Sequence, residues 1–155
     1  EKRIEFCTNC RNCTQAAGAR GKCMHDDDME EICLAIEEAD GIVFASPMNF
    51  GQVTAVTKRF IERLLPYGYW PWGTAIPQDR LKPKTKRAIL IISSTMPAIM
   101  ARCLTGIRQT MKQAVETAGA RVHGTLFIGM VGVDKQEELP EKWRSKARKL
   151  ARGLL

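Results

Sequence analysis

The stretch ADGIVFASPMNFG, residues 39–51, decides the fold that we expect for this chain. Its residues 42–45 are all apolar, and Pro47 ends the apolar run. A run that is apolar on both faces is typical of a strand in a parallel sheet, because helices cover both sides of such a sheet. Two more runs of this kind follow, at residues 86–94 and 121–131. The sequence therefore predicts a set of buried parallel strands.

Amphipathic segments lie between these runs. Asp27 or Asp28 can cap a first helix, and a second begins near Val53. A third begins near Pro97 and ends at Gly119 in a C′ position, and a basic fourth has Pro140 near its first turn. The apolar positions that we expect to be buried are Met29, Ile32, Cys33, Ile36 and Ala39 in the first helix, Val53, Val56, Phe60 and Leu64 in the second, and Ile99, Cys103, Ile107, Met111, Ala114 and Ala118 in the third. Arg63 falls on the polar side of the second helix.

A weak strand near residues 3–7 completes an alternation of strands and helices. Such an alternation predicts an α/β fold with a three-layer, doubly wound parallel sheet. A chain of 155 residues that is 45% hydrophobic has enough apolar residues for one domain core and too few for two. We therefore expect one domain over residues 1–155.

The composition also bears on partners and location. The chain has no apolar run of membrane-spanning length and no signal-peptide pattern, so we expect a cytoplasmic protein that does not enter a membrane. Its net charge of +7 is compatible with nucleic acid, phosphorylated cofactors and anionic substrates. The basic residues are densest at 142–152, where they alternate with apolar ones as on an amphipathic helix. We interpret this as a solvated face, and we expect no nucleic-acid partner.

Ligands of open α/β sheets bind outside the carboxyl ends of the strands. This rule indicates two loops, residues 46–51 after the first strong strand and residues 94–97 after the next. Both combine small polar residues with proline or glycine and are expected to lead into a helix, which leaves backbone N–H groups free. Such groups can hold the polar edges of a flat heteroaromatic ring, with Met48 or Phe50 against its face. An ordinary strand-to-helix turn would have the same pattern.

Three segments together resemble the NADPH-dependent FMN reductase group of the flavodoxin superfamily: DDDM at residues 26–29, the opening stretch 39–51, and TKRFIER at residues 57–63. A cysteine cluster just before the first of these segments is similar to that of the iron–sulfur flavoproteins and their relatives without a cluster. The resemblance runs from about Cys7 to the C-terminus.

The resemblance implies a flavodoxin-like, five-stranded parallel sheet, a bound FMN, and a homodimer or homotetramer. The flavin would carry the chemistry, receiving hydride from NAD(P)H and reducing a quinone, a flavin or another small acceptor, so no side-chain acid or base is required. The residues implied at the flavin are Ser46, Pro47, Met48, Asn49, Phe50, Gly51, Ser94, Thr95, Met96 and Pro97. One-electron transfer, as an iron–sulfur flavoprotein or a flavodoxin-type carrier, is the alternative, and a zinc-bearing nucleic-acid module is a third.

The sequence departs from this family at its beginning. Relatives begin with a strand and a loop of small residues that wraps the FMN phosphate, and neither stands before Glu1. The flavodoxin-like strand order places that first strand in the middle of the sheet. We therefore expect a preceding segment of roughly thirty residues, one βα unit. No residue of this sequence is assigned to the phosphate.

Four cysteines, Cys7, Cys10, Cys13 and Cys23, form the cluster that the resemblance singles out. Thiolates at such spacing can bind a 4Fe-4S cluster, four thiolates also suit tetrahedral zinc, and unligated thiols are the third interpretation. We expect Cys33 and Cys103 to be small buried side chains.

Three aromatic or histidine features carry weaker expectations. We expect His25 and His123 to be structural or exposed rather than catalytic. The long connection at residues 65–84 carries aromatic residues at 67–72, and these would cover a flavin or form a contact between subunits.

Overall fold

The computed structural model describes residues 2–132 and 138–154. Its elements, in chain order, are α1 (Met29–Glu38), β1 (Gly41–Asn49), β2 (Gln52–Val53), α2 (Ala55–Glu62), β3 (Gly68–Tyr69), β4 (Gln78–Asp79), β5 (Lys86–Ser93), α3 (Ala98–Leu104), α4 (Ile107–Thr117), β6 (Ala120–Ile128) and α5 (Glu141–Ala151). Two short 3-10 turns lie at Asn12–Thr14 and Leu65–Tyr67. None of the helices in the described residues has the length and apolar character needed to cross a bilayer.

The main sheet has the strand order β2-β1-β5-β6. Strands β1, β5 and β6 are parallel, and β2 pairs with the end of β1 in the antiparallel direction. Strands β3 and β4 form a separate two-stranded sheet inside the long connection. The α/β fold with a mostly parallel sheet, which the apolar runs predicted, is confirmed.

The largest core cluster lies between β5 and α4. Ala88, Leu90 and Ile92 of β5 are completely buried, and they pack with Ile107 and Met111 of α4, which are also completely buried. Alternate residues of a strand face the same side, so this spacing presents one continuous apolar face to the helix. Burial of each large side chain stabilises the fold by about 1.5–3 kcal/mol.

The N-terminal strand expected at residues 3–7 is not formed, and that expectation was wrong. The backbone N–H groups of Arg3 and Glu5 donate instead to the carboxylates of Asp28 (2.5 Å) and Asp27 (2.7 Å). Asp28 N–H donates in turn to the Arg3 carbonyl at 3.0 Å. The acidic residues before α1 therefore satisfy the backbone groups that a neighbouring strand would otherwise pair.

One edge of β1 is open along residues 41–47. The strand pairs with β5 on its other side, and no strand among the described residues pairs with this edge. An apolar cavity of about 320 Å³ lies beside it, lined in part by Ile36, Ile42, Val43 and Phe44. Val43 keeps 56% of its surface exposed, which is high for an apolar residue within a parallel sheet. The described residues thus supply three parallel strands of the five that were expected.

The single third helix expected from Pro97 to Gly119 is two helices, α3 and α4. The chain is extended at Thr105, and the Thr105 hydroxyl donates to the Ala101 carbonyl at 2.6 Å. This side-chain bond takes a carbonyl that a continuing helix would use. Because of the break, Ile99 and Cys103 are exposed rather than buried.

Val56 was also expected in the core and is 69% exposed. Val56 is in the first turn of α2, which begins at Ala55, whereas Phe60 and Ile61 further along the helix pack against the core. Cys33, Ile107, Met111, Ala114 and Ala118 are buried as expected.

Candidate functional site

The two loops singled out from the sequence leave the same edge of the sheet. Pro47 lies opposite Ser93 in the parallel register of β1 and β5. Residues 47–51 and residues 94–97 therefore emerge side by side from neighbouring strands. The structure brings together the two segments for which flavin contact was predicted, and their role in binding remains a prediction.

The first loop is a tight hairpin rather than the expected turn into a helix. Phe50 and Gly51 both have positive φ, 49° and 75°, and Met48 pairs with Val53 across the turn. Two central residues with positive φ are characteristic of a type I′ turn. Phe50 is fully exposed, and a bulky residue with positive φ is uncommon enough to mark a candidate functional position. Met48 is half-buried, and Asn49 is exposed.

Ser46 lies beneath this hairpin and braces it. Its hydroxyl donates to the Pro47 carbonyl at 2.8 Å and is 3.1 Å from the Thr57 hydroxyl, which is 2.9 Å from the Thr54 hydroxyl. Only 3% of Ser46 is exposed. Thr54 also caps α2, because its side chain accepts from the Thr57 N–H. The side-chain hydroxyls thus hold the loop from inside.

The second loop is held by the backbone that follows β6. Ser94 N–H donates to the Ile128 carbonyl at 2.9 Å, and the Ser94 carbonyl accepts from Val131 N–H at 2.9 Å. The Ser94 hydroxyl donates to the Met96 carbonyl at 2.9 Å. Ser94 is therefore buried and structural, whereas Thr95 and Pro97 are exposed and Met96 is half-buried.

A third loop, residues 129–132, was missed by the sequence reasoning. Met130 N–H donates to the Met96 carbonyl at 3.2 Å. A Cβ atom at Gly129 would lie 2.3 Å from the Ala98 nitrogen and 2.9 Å from the Met96 oxygen, so only glycine fits between these loops. The signal was available: the loop follows the third apolar run, to which the rule about carboxyl ends applies equally.

The four clustered cysteines lie in one region near the other end of α2. Cys13 is buried, Cys7 and Cys23 are half-buried, and Cys10 is exposed. Burial, together with the electrostatic effect of the other three thiols, raises the pKa of Cys13 to about 11. Because all three of the other thiols affect the pKa of Cys13, they lie near it.

The arrangement bears on the three interpretations of these cysteines. Within residues 2–132 and 138–154, no three His, Cys, Asp or Glu side chains are placed to hold one metal ion. Four cysteine thiols are the donors that a 4Fe-4S cluster takes, and they also suit tetrahedral zinc. The donor set therefore fits either group in its chemistry, and unligated thiols stay the third interpretation.

The aromatic loop (residues 67–72) packs against the cysteine loop (residues 7–23). The Arg11 guanidinium lies 3.8 Å from the ring centre of Trp70 and 4.1 Å from that of Trp72. Arg11 Nη2 donates to the Trp70 carbonyl at 2.7 Å, and Trp70 N–H donates to the Thr14 carbonyl at 2.9 Å. That these aromatic residues cover a flavin or form a contact between subunits stays a prediction.

The profile of the flavodoxin-like fold family matches residues 6–151. This chain belongs to that family. An iron–sulfur flavoprotein of Archaeoglobus fulgidus is 44% identical over 70 residues, which are 45% of this chain and 30% of the relative. An iron–sulfur flavoprotein of Methanocaldococcus jannaschii is 38% identical over 66 residues, 43% of this chain and 32% of the relative. The matched part thus spans about a third of the length of these curated relatives.

Solved structures show the same flavodoxin-like fold. The NAD(P)H:quinone oxidoreductase from Methanothermobacter marburgensis superposes with a TM-score of 0.69 at 19% identity, covering 99% of this chain and 77% of that chain. An FMN-dependent NADH-azoreductase from Bacillus anthracis, solved with FMN, gives a TM-score of 0.59 at 14% identity, covering 82% and 62%. At these identities the likeness concerns the fold alone.

In this flavodoxin-like chain, α2 connects the two candidate sites. It follows the hairpin of residues 47–51 directly, and Arg63 ends it beside Cys23. Arg63 was placed on the polar, solvent side of the helix from the sequence, yet only 2% of its side chain is exposed. Eight helical residues span about 12 Å. The cysteine cluster and the hairpin are therefore held at a fixed separation by one rigid element.

Arg63 forms a buried, two-point ion pair with Asp27. Nη1 donates to Asp27 Oδ2 at 2.6 Å, and Nη2 donates to Asp27 Oδ1 at 3.0 Å. Burial alone raises the pKa of Asp27, but hydrogen bonds from Arg63 and from the Glu5 and Met29 N–H groups outweigh burial and hold that pKa at about 2. Asp27 is therefore ionised at neutral pH and ties the N-terminal segment to α2.

The histidines contribute no partner to either site. His25 is half-buried rather than exposed, and its Nε2 is shielded from solvent with no hydrogen-bond partner among the described residues. His123 is exposed and lies beside Gly153 near the C-terminal helix. The prediction that neither acts as an acid or base stands as a prediction.

Proposed function

We propose that this chain is part of an FMN-dependent oxidoreductase that takes electrons from NAD(P)H and passes them to a quinone, a flavin or another small acceptor. The observation that carries the proposal is the convergence of three loops at the carboxyl ends of β1, β5 and β6. This is the position at which open α/β sheets bind their ligands. The likeness in fold to the NAD(P)H:quinone oxidoreductase and to the FMN-dependent NADH-azoreductase supports the same assignment.

The backbone would bind the ring. Because Ser46 and Ser94 use their hydroxyls inside the protein, the groups left for a flavin are those main-chain groups of residues 47–51 and 94–97 that have no partner in the described residues, such as the N–H groups of Thr95 and Met96. Exposed Phe50 and half-buried Met48 are the candidates for contact with the ring face. When bound, FMN supplies hydride transfer at its N5 atom. Backbone N–H groups beside the ring would stabilise negative charge on it, as they do for oxyanions.

No residue of this sequence is assigned to the FMN phosphate. We propose that a preceding βα unit provides the phosphate loop and that its strand pairs with the open edge of β1. The support is the open edge at residues 41–47 and the apolar cavity of about 320 Å³ beside it. We also propose that the protein is cytoplasmic and assembles as a homodimer or homotetramer.

One-electron transfer through a 4Fe-4S cluster is the second candidate function. The neighbouring thiols of Cys7, Cys10, Cys13 and Cys23 support it. The curated relatives are named iron–sulfur flavoproteins. Under this proposal the cluster and FMN would exchange single electrons.

An anaerobic preparation of the full-length protein tests both candidates. The absorbance spectrum, the FMN content and the iron and sulfide content are measured first. NADH and NADPH oxidation is then followed with a benzoquinone and with free FMN as acceptors. Two flavin bands with turnover support the reductase, and an added broad shoulder that a reductant bleaches supports the cluster. A colourless protein that binds no added FMN would overturn the flavin assignment.

A further inference from the structure

The buried guanidinium of Arg63 touches a cysteine sulfur. Arg63 Nη2 donates to Cys23 Sγ at 3.5 Å, within hydrogen-bond reach of a sulfur acceptor. The same side chain donates to the Glu5 carbonyl at 2.8 Å and to both carboxylate oxygens of Asp27. Three acceptor atoms, the Glu5 carbonyl oxygen and the two carboxylate oxygens of Asp27, fix the position of this positive charge. It cannot turn away from the sulfur without losing bonds that are themselves buried.

We propose that Arg63 sets the reduction potential of an iron–sulfur cluster bound by the four clustered cysteines, by holding a positive charge and an N–H donor on the sulfur of Cys23. This inference rests on the second function proposed above, that Cys7, Cys10, Cys13 and Cys23 bind the cluster. It goes beyond that function because it names a residue outside the ligand set and the property that the residue controls.

The sign follows from electrostatics. Reduction adds one electron to the cluster and its thiolates, so a nearby cation stabilises the reduced form more than the oxidised form. Hydrogen bonds to the sulfurs and the net charge of the surroundings are established determinants of cluster potentials. Because both side chains of the ion pair are almost fully buried, solvent screens these charges weakly. Arg63 therefore raises the potential.

Asp27 opposes this effect from behind the guanidinium. Its carboxylate bonds Arg63, and only the arginine is hydrogen-bonded to Cys23 Sγ. Neutralising Asp27 alone should raise the potential, whereas neutralising both members of the pair should lower it, since the nearer charge dominates. A residue with a merely structural role would not give opposite signs for these two changes.

The test uses three variants of the full-length protein. The double variant Asp27→Asn with Arg63→Gln removes the pair without leaving one buried charge alone. Asp27→Asn by itself should shift the reduction potential in the opposite direction. Arg63→Lys keeps the positive charge but loses the two-point hydrogen bonding. Arg20→Gln is the matched control, because Arg20 also forms ion pairs with α1, at Glu30 and Glu37, and makes no contact with a clustered cysteine sulfur.

Midpoint potentials are measured by redox titration monitored by electron paramagnetic resonance, with iron content as the loading check. We expect the double variant to shift the equilibrium towards the oxidised cluster about tenfold, which is about 59 mV for one electron. Asp27→Asn should shift it the other way, and Arg20→Gln should leave it unchanged. Equal potentials in parent and double variant, or equal shifts in double variant and control, overturn the inference.

Loading failures are informative as well. If only the double variant lacks iron, Arg63→Lys is compared with the parent protein instead. A small decrease in its midpoint potential supports the inference. If both Arg63 variants lack iron while the control retains it, Arg63 is required for assembly and the tuning role is overturned. A parent protein without iron overturns the cluster proposal itself, and this result is distinct from an unchanged potential in a loaded protein.

Discussion

Pro47 and Ser93 are the last residue pair in the parallel register of β1 and β5. This pairing places the hairpin of residues 47–51 beside the loop of residues 94–97, and the loop after β6 locks the second of these through Ser94 and Met96. The candidate flavin site is therefore built by the sheet register, and we propose that its flavin-binding groups are mainly backbone. Substitutions that move the backbone should affect it more than those that trim side chains.

The hairpin turn gives the first prediction. Gly51 has φ +75°, and a Cβ atom there would meet nothing closer than 3.8 Å, so Gly51→Ala strains the backbone without a clash. We expect a loss of about 1 kcal/mol of stability and weaker FMN binding, measured by quenching of flavin fluorescence. Gly73→Ala is the control, since Gly73 has φ +85° and open space but lies outside the loops. Equal FMN affinity in the two variants would argue against the hairpin as a flavin contact.

The third loop gives a second prediction with a steric cause. Gly129→Ala places a Cβ atom 2.3 Å from the Ala98 nitrogen, which forces residues 94–97 and 129–132 apart. We expect a cost of about 1–3 kcal/mol and loss of FMN binding, measured by urea unfolding and by isothermal calorimetry. Gly132→Ala in the same loop also strains the backbone, since Gly132 has φ +99°, but its nearest atom is 3.9 Å away, so this variant should retain more of the binding. Unchanged binding in Gly129→Ala would mean that the third loop does not shape the site.

The sequence could predict the parts of this molecule that depend on local pattern. The apolar run at residues 42–45 predicted β1 because both of its faces must be covered, and the cap at Gly119 was visible from the residue type. The break at Thr105 was hidden because apolar periodicity continues across it. The hairpin could not be predicted, because Phe50 has a positive φ, which a bulky residue rarely adopts.

The ion pair shows the limit of local pattern most clearly. Asp27 looks like a helix cap and Arg63 like a solvent-facing residue, yet the two meet in the interior across 36 residues of sequence. Helical periodicity places Arg63 outside, and only the N-terminal segment, which folds over the end of α2, encloses it. A long-range contact of this kind has no signature in a single sequence.

The pH dependence of stability supplies the third prediction. The pKa of Asp27 is held at about 2 in the folded chain, below the 3.8 of an unperturbed aspartate. As pH falls, Asp27 is protonated in the unfolded chain before it is protonated in the folded one. The contribution of ionised Asp27 to the free energy of unfolding is therefore complete above about pH 4 and is lost as pH falls towards 2. The difference corresponds to about 2 kcal/mol. Asp27→Asn should flatten the urea-unfolding free energy between pH 4 and pH 2, while Asp26→Asn at the neighbouring exposed carboxylate should not. A parent protein with no slope in that interval contradicts the assignment.

The contact of the aromatic loop with the cysteine loop leads to the last prediction. Trp70→Ala removes the ring on which Arg11 stacks at 3.8 Å, and Arg11 stands between Cys10 and Cys13 in the chain. A cation–π contact of this kind contributes about 0.5–2 kcal/mol, so the cysteine loop should loosen, with cluster loading falling by half or more and FMN content maintained. Trp143→Ala is the matched control, because Trp143 also contacts cationic side chains, Lys142 and Lys146, but lies on α5. Iron and flavin are quantified on the same preparations. If both variants lose iron equally, the effect is global, and the aromatic loop has no particular role at the cysteines. If flavin content falls along with iron only in Trp70→Ala, the two candidate sites are not independent, and α2 couples them.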